Sequence, residues 1–355
     1  MAQRMSLVTG GAGFIGQHLV QQLLERGERV RVLDIADSTF LGPEVEVFRG
    51  SILDSDIVGR ALNKVDRLYH LAANPNLWSA RKEEFEEVNV QGTRTVLAQA
   101  EAAGLERIVY CSTESIIERR HPAASRATEP APTVNDMPGP YCRSKFLAQE
   151  EALKAAARNM PLVIVNPTLP VGPGDRFLTP PTRMLQIFLD GRTPAFLDCQ
   201  FNMIDVRDAA FGHILAAERG RPGELYVLGG ENLRLRDVLA MLEEITGLTM
   251  PGISIPYWMA FAFSAASEFI ADHVSGRPPV APLAGVRLAR KPMIFDSAKA
   301  VRELGLPQRP IRQALADAVG WMIEEGLLCR LPDNGRKGLP WAGGRGKTPK
   351  ILGAK

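Results

Sequence analysis

The stretch TGGAGFIG at residues 9–16 carries the most information about the fold of this chain. An apolar run at 5–8 precedes it, and apolar residues recur at helical spacing over 14–24. This pattern predicts a strand, a glycine turn and a helix. Glycines at such a turn leave room for a pyrophosphate against the backbone, at the positive end of the helix. The stretch therefore predicts a dinucleotide site.

A second strand is predicted over residues 29–33, and it ends at Asp34, eighteen residues after Gly16. A carboxylate at this position can bind both hydroxyls of an adenosine ribose, and its charge repels a 2′-phosphate. Residues 35–37 contain no arginine that could receive such a phosphate. The sequence therefore favours NAD as cofactor, with NADP as the alternative.

Strand and helix patterns alternate through the first half of the chain. Further strands are predicted at 45–48, 67–71, 107–112 and 162–165, and helices at 56–62, 83–103 and 141–158. This alternation is typical of an α/β fold, here a Rossmann doubly wound parallel sheet. Such sheets bind ligands at the carboxyl ends of their strands.

The pattern becomes less regular after the Pro/Gly-rich stretch 166–181. A helix is predicted at 206–219, a strand at 225–228 and a helix at 235–246. We expect residues 1–168 to form the NAD(P)-binding domain, with 196–228 returning to its sheet. Residues 169–330 are expected to form a smaller, mostly helical substrate domain.

Two further features lie near the predicted ligand edge of the sheet. Asp54 follows the third predicted strand, where a carboxylate could receive the adenine amine, although an exposed loop acid fits the pattern equally well. The long loop 121–140 separates a predicted strand from a predicted helix. Long loops of this kind often cover substrates.

The composition is that of a soluble globular protein, since 45% of the residues are hydrophobic and 23% are charged.

The cysteines are far apart and form no CxxC motif: Cys111, Cys142, Cys199 and Cys329. The histidines His18, His70 and His213 show no ligand spacing. We therefore predict no metal site and no disulfide framework, and a reducing cytoplasmic location. Because the segment before the first predicted strand is short, we expect no signal peptide.

The net charge of +2 is unevenly distributed. Residues 331–355 contain six basic residues and one acidic residue, so this tail carries +5 and residues 1–330 carry −3. The tail is rich in Gly and Pro and is predicted to be disordered. A solvated end without function is the favoured interpretation, and peripheral contact with an anionic membrane is the alternative. Nucleic-acid binding is not expected, because the body is acidic and contains no binding motif.

Residues 255–270 form the most apolar segment of the chain. The segment is too short and too interrupted to span a bilayer comfortably. It predicts a buried helix of the smaller domain, or else a helix that lines an apolar substrate pocket or touches a membrane surface.

Tyr141 and Lys145 form a YxxxK pair, and residues four apart share one face of a helix. A neighbouring ammonium favours phenolate over phenol, so we expect Lys145 to lower the pKa of Tyr141 toward working pH. Tyr141 could then exchange a proton with an alcohol or ketone while hydride moves to or from nicotinamide. Its position after a strand that ends in residues 112–113 strengthens this interpretation.

A set of motifs resembles the extended or atypical short-chain dehydrogenases/reductases. These motifs are TGGAGFIG (9–16), HLAA (70–73), NVQGT (89–93), CST (111–113), YCRSK (141–145) and VNPTLPVGPGD (165–175). The resemblance covers about residues 5–328. It implies that Tyr141 is the acid/base, that Lys145 is its partner, that Thr113 hydrogen-bonds the reacting oxygen and that Asn89 holds the active-site backbone. The neighbouring hydroxyl of Ser112 should face away.

The resemblance also implies a set of cofactor-binding residues. The glycines would bind the pyrophosphate, Asp34 the adenosine ribose, Asp54 the adenine, and Lys145 the nicotinamide ribose. The full set is Gly10, Gly13, Phe14, Ile15, Gly16, Asp34, Ile52, Asp54, Leu71, Ala72, Ala73, Tyr141, Lys145 and Pro167.

Two departures from the family pattern bear on the substrate. Many nucleotide-sugar enzymes carry a Tyr-Gly pair where this chain has Ile117 and Glu118, and here a charged Glu114 stands beside Thr113. The later strand also lacks their arginine and has an Asn-Pro pair at 166–167. That form is similar to dihydroflavonol reductases, decarboxylating 3β-hydroxysteroid dehydrogenases, hopanoid-associated sugar epimerases and bacterial ceramide reductase-like proteins.

These features favour an NAD(P)-dependent oxidoreductase that reduces a ketone or oxidises a secondary alcohol of a hydrophobic, lipid-like substrate. A 3-keto sphingolipid or ceramide, a sterol or a hopanoid would fit. The alternative is a nucleotide-sugar epimerase or dehydratase with bound NAD, and a third hypothesis is a non-catalytic NAD-binding sensor or assembly subunit. Relatives often pair the helices that correspond to 83–103 and 141–158, so we expect a homodimer.

Overall fold

The computed structural model describes residues 3–117 and 133–330. The tail at 331–355 and the greater part of the loop at 121–140 therefore lie outside the described residues. The strands of the described part are β1 (Met5–Thr9), β2 (Arg29–Asp34), β3 (Glu46–Arg49), β4 (Arg67–His70), β5 (Arg107–Cys111), β6 (Leu162–Pro167), β7 (Leu169–Val171), β8 (Ala195–Phe196), β9 (Gln200–Asp205), β10 (Leu225–Leu228), β11 (Glu231–Arg234) and β12 (Ile253–Ser254).

The α-helices agree closely with the apolar periodicity of the sequence. They are α1 (Phe14–Glu25), α2 (Ser55–Leu62), α3 (Glu84–Glu86), α4 (Gly92–Ala103), α5 (Pro140–Ala157), α6 (Pro180–Leu189), α7 (Val206–Arg219), α8 (Leu235–Thr246), α9 (Tyr257–Ile270), α10 (Leu283–Leu288), α11 (Ala298–Leu304) and α12 (Ile311–Glu324).

Seven strands form one parallel sheet in the order β10-β6-β5-β4-β1-β2-β3. On the central strand, Leu7 and Val8 are both fully buried but pack into different apolar clusters on opposite faces. Helices α1 and α7 cover the face of Val8, and α2, α4 and α5 cover the face of Leu7. Burial of both faces is typical of a parallel sheet, and it confirms the predicted doubly wound α/β fold.

The strand order reverses between β1 and β4. Strands β2 and β3 continue the sheet to one side, and β5 and β6 continue it to the other. A reversal of this kind opens a crevice at the carboxyl ends of the strands, where doubly wound folds bind their ligands. The glycine turn after β1 lies at this crevice.

The remaining strands form two small sheets, β11-β9-β7 and β12-β8. Helices α6, α8 and α12 contribute Leu185, Leu239 and Leu315 to an apolar cluster of their own. Within residues 196–228, β10 pairs with β6 of the large sheet and α7 packs on that sheet. Strand β9 belongs instead to the three-stranded sheet.

The predicted continuous helix at 83–103 is interrupted. Helix α3 is followed by a π-helical turn, Glu87–Gln91, before α4 begins. The extra residue of a π turn redirects side chains and often occurs at functional sites. Here the turn contains the buried Asn89.

The expectation of a buried helix at 255–270 is wrong. Within α9 only Ala260 and Ser264 are buried, whereas Trp258 is 68% exposed and Phe263 is 57% exposed. The buried positions of α9 carry small residues, and five of its large apolar side chains are exposed. Among the described residues, no helix has both the length and the apolar content that crossing a membrane requires.

Candidate active site

The glycine turn between β1 and α1 is shaped by close backbone contacts. Gly10 has a φ of +72°, and a Cβ there would lie 2.7 Å from the amide nitrogen of Ala72. A Cβ on Gly16 would lie 2.1 Å from the carbonyl oxygen of Gly10. Gly13 begins α1 without a side-chain cap, so the first amides of the helix face a cradle of bare backbone. This cradle fits the pyrophosphate of a dinucleotide.

Asp34 is held at the mouth of the cradle. Its carboxylate accepts hydrogen bonds of 3.0 Å from the amides of Ala12 and Ala36. The carbonyl of Leu33 accepts a 3.0 Å hydrogen bond from Gly10, which joins the end of β2 to the glycine turn. The predicted ribose ligand therefore lies beside the predicted pyrophosphate cradle.

The segment after β4 lies on the other side of the glycine turn and forms the second wall of the cradle. The amide of Leu71 donates to the carbonyl of Thr9 at 3.1 Å, and Ala72 donates to the Thr9 hydroxyl at 3.3 Å. The same hydroxyl lies 2.7 Å from Nδ1 of His70. Burial lowers the pKa of His70 to about 3, so the ring is neutral and acts as a structural link.

The other predicted cofactor residues fall around the same crevice. Phe14 and Ile15 open α1, Ala73 follows Ala72, and Ile52 is buried in the turn after β3. The carboxylate of Asp54 caps α2, accepting from the amides of Asp56 and Ile57 at 3.0 and 3.2 Å. Helix capping is a role that the sequence reasoning did not consider for Asp54, and the Asp-x-x-Ile spacing before an apolar run was the signal for it.

Asn89 connects two parts of the site. Its side-chain oxygen accepts a 2.7 Å hydrogen bond from the amide of Asn74, in the loop after β4. Its Nδ2 donates to the Ser144 hydroxyl at 2.8 Å, and that hydroxyl donates to the carbonyl of Tyr141 at 2.8 Å. The π turn thus braces the loop after β4 against the first turn of α5. The partners Asn74 and Ser144 were missed from sequence, because no local pattern pairs them with Asn89.

Thr113 lies just beyond the end of β5 and points toward Tyr141. Its hydroxyl donates to the Glu114 carboxylate at 3.0 Å and is a hydrogen-bond partner of the Tyr141 phenol. The neighbouring Ser112 is buried, and its hydroxyl has no hydrogen-bond partner among the described residues. The alternation of the strand therefore brings Thr113, and not Ser112, to Tyr141.

Lys145 is buried one helical turn after Tyr141. Its ammonium donates to the carbonyl of Cys111 at 2.8 Å and lies 3.4 Å from the Tyr110 hydroxyl. Burial lowers the pKa of Lys145 to about 8. Cys111 binds this ammonium through its main-chain carbonyl. Its role could not be predicted from sequence, because the cysteine side chain takes no part in the contact.

The predicted lowering of the Tyr141 pKa by Lys145 is not what the structure shows. Burial raises the pKa of Tyr141 well above its usual value, and the nearby charge of Glu114 raises it further. The hydrogen bond between Thr113 and the phenol opposes this shift only in part. The Lys145 ammonium is directed to Cys111 instead, so the phenol is protonated at neutral pH.

Pro167 ends β6 and is buried beside Asn166. The Asn166 side chain donates to the carbonyl of Thr113 at 2.8 Å and to the Gln149 side chain at 3.0 Å. Through these two bonds, Asn166 on β6 holds the backbone at Thr113 in place and also connects it to α5, which carries Gln149. Sequence reasoning noted the Asn-Pro pair but not this connection.

The surroundings of Tyr141 are apolar on the side away from the sheet. Its ring meets Phe85 edge to face, with centroids 6.5 Å apart. It also packs against a cluster that includes Ile116, Met137 and Leu288. The ring of Tyr141 is therefore packed among apolar side chains.

Similarities to known proteins agree with this geometry. Residues 6–229 match the profile of the NAD dependent epimerase/dehydratase family. The Synechocystis sp. protein named "Putative dihydroflavonol 4-reductase" is 40% identical over 328 residues, which cover 90% of this chain and 95% of the relative. The Methylococcus capsulatus "Sterol demethylase protein B" is 32% identical over 330 residues, which cover 91% and 99%.

The crystal structure of gox2253 superposes with a TM-score of 0.80 at 35% identity, covering 92% of this chain and 100% of that one. The family match extends from β1 to the residue after β10, so it includes the whole large sheet and the site built on its edge. The chain therefore belongs to the NAD dependent epimerase/dehydratase family, and it is an enzyme whose cofactor is NAD.

Proposed function

We propose that this enzyme transfers hydride between NAD(P) and a secondary alcohol or ketone of a hydrophobic, lipid-like substrate. The observation that supports this most is the pairing of Tyr141 and Thr113 next to an apolar wall. Thr113 and Tyr141 supply polar groups that could act on the reacting oxygen, and the Tyr141 ring packs against apolar side chains. A 3-keto sphingolipid or ceramide, a sterol or a hopanoid fits this division.

In this mechanism Tyr141 gives a proton to the carbonyl oxygen during reduction and removes it during oxidation. Thr113 hydrogen-bonds the same oxygen and orients it. Lys145 lies one turn away on α5 and supplies positive charge near the phenol and the nicotinamide ribose. NAD, when bound in the glycine cradle, supplies the hydride chemistry.

The phenol of Tyr141 holds the proton that the carbonyl oxygen takes up during ketone reduction. Burial and the charge of Glu114 both keep the proton on the phenol. Oxidation of an alcohol requires the phenolate and should therefore need a higher pH.

The test measures NADH and NADPH oxidation by the full-length protein with long-chain 3-keto lipids and sterol ketones. Tyr141→Phe should lower turnover by about 10²–10⁴-fold, the usual contribution of a general acid. Tyr257→Phe makes the same change on α9, outside the site, and should turn over normally. Unchanged turnover in Tyr141→Phe would refute the assigned mechanism.

A nucleotide-sugar epimerase or dehydratase is the second candidate, because the family includes both activities. It would convert a nucleoside-diphosphate sugar with no net change in NADH. Ile117, where many such enzymes have tyrosine, argues against it. Conversion of a sugar nucleotide with no ketone reduction would favour this candidate.

We also propose a homodimer built on α4 and α5. Arg94 pairs with Glu151 at 3.0 Å and Arg158 pairs with Glu101 at 3.1 Å, so the two helices form one continuous outer face. A second copy of this face could pack on it to form a four-helix interface. Sedimentation of the purified protein as a monomer would refute this proposal.

A further inference from the structure

Helix α9 presents an uncharged apolar surface outward. We call it the α9 face and define it by five side chains that are 42–68% exposed: Trp258, Met259, Phe263, Phe269 and Ile270. Glu268 is the charged residue of α9, and its carboxylate accepts a 2.7 Å hydrogen bond from the amide of Leu283. Contiguous exposed apolar surface of this kind marks an interaction site in soluble proteins.

The inner side of α9 is tied down, which keeps the α9 face outward. The Ser264 hydroxyl donates to the carbonyl of Ala281 at 2.7 Å, and Glu268 holds the start of α10. Beyond the helix, Val274 and Val280 are 76% and 64% exposed. The apolar surface therefore continues past the end of α9 on a fixed scaffold.

The rim of the α9 face is positively charged. Arg290 lies 5.8 Å from the ring centroid of Tyr257 at the start of α9, and Arg277 and Arg287 are exposed in the segment that follows the helix. Asp272, just after α9, accepts from the Trp78 indole at 2.7 Å and from Lys82 at 2.9 Å, so its charge is compensated. Aromatic and aliphatic side chains with arginine and lysine around them match the interface of an anionic bilayer.

Other parts of this chain are poor candidates to cover the α9 face. Residues 118–132 contain no Val, Leu, Ile, Met, Phe, Trp or Tyr. Residues 331–355 contain six basic residues, and their five large apolar residues are dispersed. A basic tail would itself be attracted to an anionic surface and would add to the same interaction.

We infer that the α9 face docks on the surface of a bilayer that contains anionic lipids. Trp258 and Phe263 would enter the boundary between headgroups and acyl chains, and the basic rim would meet the lipid phosphates. The inference rests on the exposed side chains of α9 and the basic residues around them. It is independent of the proposed reaction, but it would explain how the enzyme meets a lipid-like substrate. Leu288 of α10 packs in the same apolar cluster as Tyr141, which links the element beside α9 to the surroundings of the phenol.

The test is flotation of the full-length protein with vesicles of equal parts phosphatidylglycerol and phosphatidylcholine. We expect binding to these vesicles, weaker binding to phosphatidylcholine alone, and at least tenfold weaker binding of a Trp258→Ser, Phe263→Ser double variant. Val301→Ser, which changes an exposed apolar residue on α11, is the matched control and should bind as the unmodified protein does.

Three outcomes of these experiments would overturn the inference that the α9 face docks on a membrane. No flotation of the unmodified protein, or equal flotation of the double variant, overturns the inference. Dissociation of a dimer by the double variant, seen in sedimentation, also overturns it and shows that a second copy covers the α9 face. None of these measurements uses substrate, so failure of the proposed ketone reduction would be seen separately. NADH binding by the double variant should be unchanged, which shows that the fold is intact.

Discussion

The ammonium of Lys145 donates a 2.8 Å hydrogen bond to the main-chain carbonyl of Cys111, two residues before Thr113. One side chain thus ties helix α5, which carries Tyr141, to the end of β5, which leads to Thr113. The same burial that makes this link rigid lowers the pKa of Lys145 to about 8. The site therefore holds a charge that costs folding free energy to bury.

The first prediction concerns that cost. Lys145→Met should abolish most ketone reduction and should also raise the free energy of unfolding at neutral pH by about 1–3 kcal/mol, because a buried charge is replaced by a side chain of similar length. Thermal or denaturant unfolding near pH 7 measures the change. A clear loss of stability would show that the bond to Cys111 outweighs the desolvation of the ammonium.

The second prediction is the pH dependence that follows from Lys145. The folded-state pKa of about 8 is below the ordinary 10.5, so between these values the unfolded chain binds more protons than the folded one. The unfolding free energy should therefore rise with pH across this window through this group. Ketone reduction should fall above about pH 8, where the ammonium loses its proton. A rate at saturating NADH that stays constant well above this pH would contradict the role of the charge.

The third prediction concerns Glu114. Removing its charge in Glu114→Gln should lower the pKa of Tyr141, because the carboxylate disfavours the phenolate. Alcohol oxidation should then begin at a pH lower by about one unit, the usual scale of a neighbouring charge. Glu106→Gln, a change at an exposed position, is the control. An unchanged pH profile of oxidation would show that burial alone sets the pKa of Tyr141.

The fourth prediction tests the cofactor cradle. Gly16→Ala places a Cβ 2.1 Å from the carbonyl oxygen of Gly10, so the turn must open and NADH binding should weaken by at least tenfold. Gly252→Ala is the matched control, because a Cβ there meets nothing within 4 Å. Titration of NADH fluorescence measures both variants. Equal affinity of Gly16→Ala would place the dinucleotide away from this turn.

Much of the large sheet could be predicted because its signals are local. The apolar run of β1, the glycine turn and the periodicity of α1 each lie within a few residues of one another, and each has one favourable backbone conformation. Alternation of such units then implies a parallel sheet, since crossover helices must cover both faces. The edge that carries the site follows from the same rule.

The interactions that tune the site could not be predicted in the same way. Lys145 meets the carbonyl of Cys111, Asn166 meets the carbonyl of Thr113, and Asn89 meets Ser144, each across a long sequence separation. Main-chain partners carry no sequence signal of their own. The direction of the Tyr141 pKa shift depends on burial and on the charge of Glu114, so reasoning from the YxxxK spacing alone gave the opposite sign.

The sequence by itself determined the class of fold, the order of strands and helices in the first half and the place of the glycine turn, because local backbone preference and apolar periodicity decide these. Only the tertiary structure decided that α9 exposes Trp258 and Phe263, that a π turn carries Asn89 and that the pKa of Tyr141 is raised. Exposure, hydrogen bonding and electrostatic environment depend on which distant segments pack together, and apolar periodicity does not encode those partners.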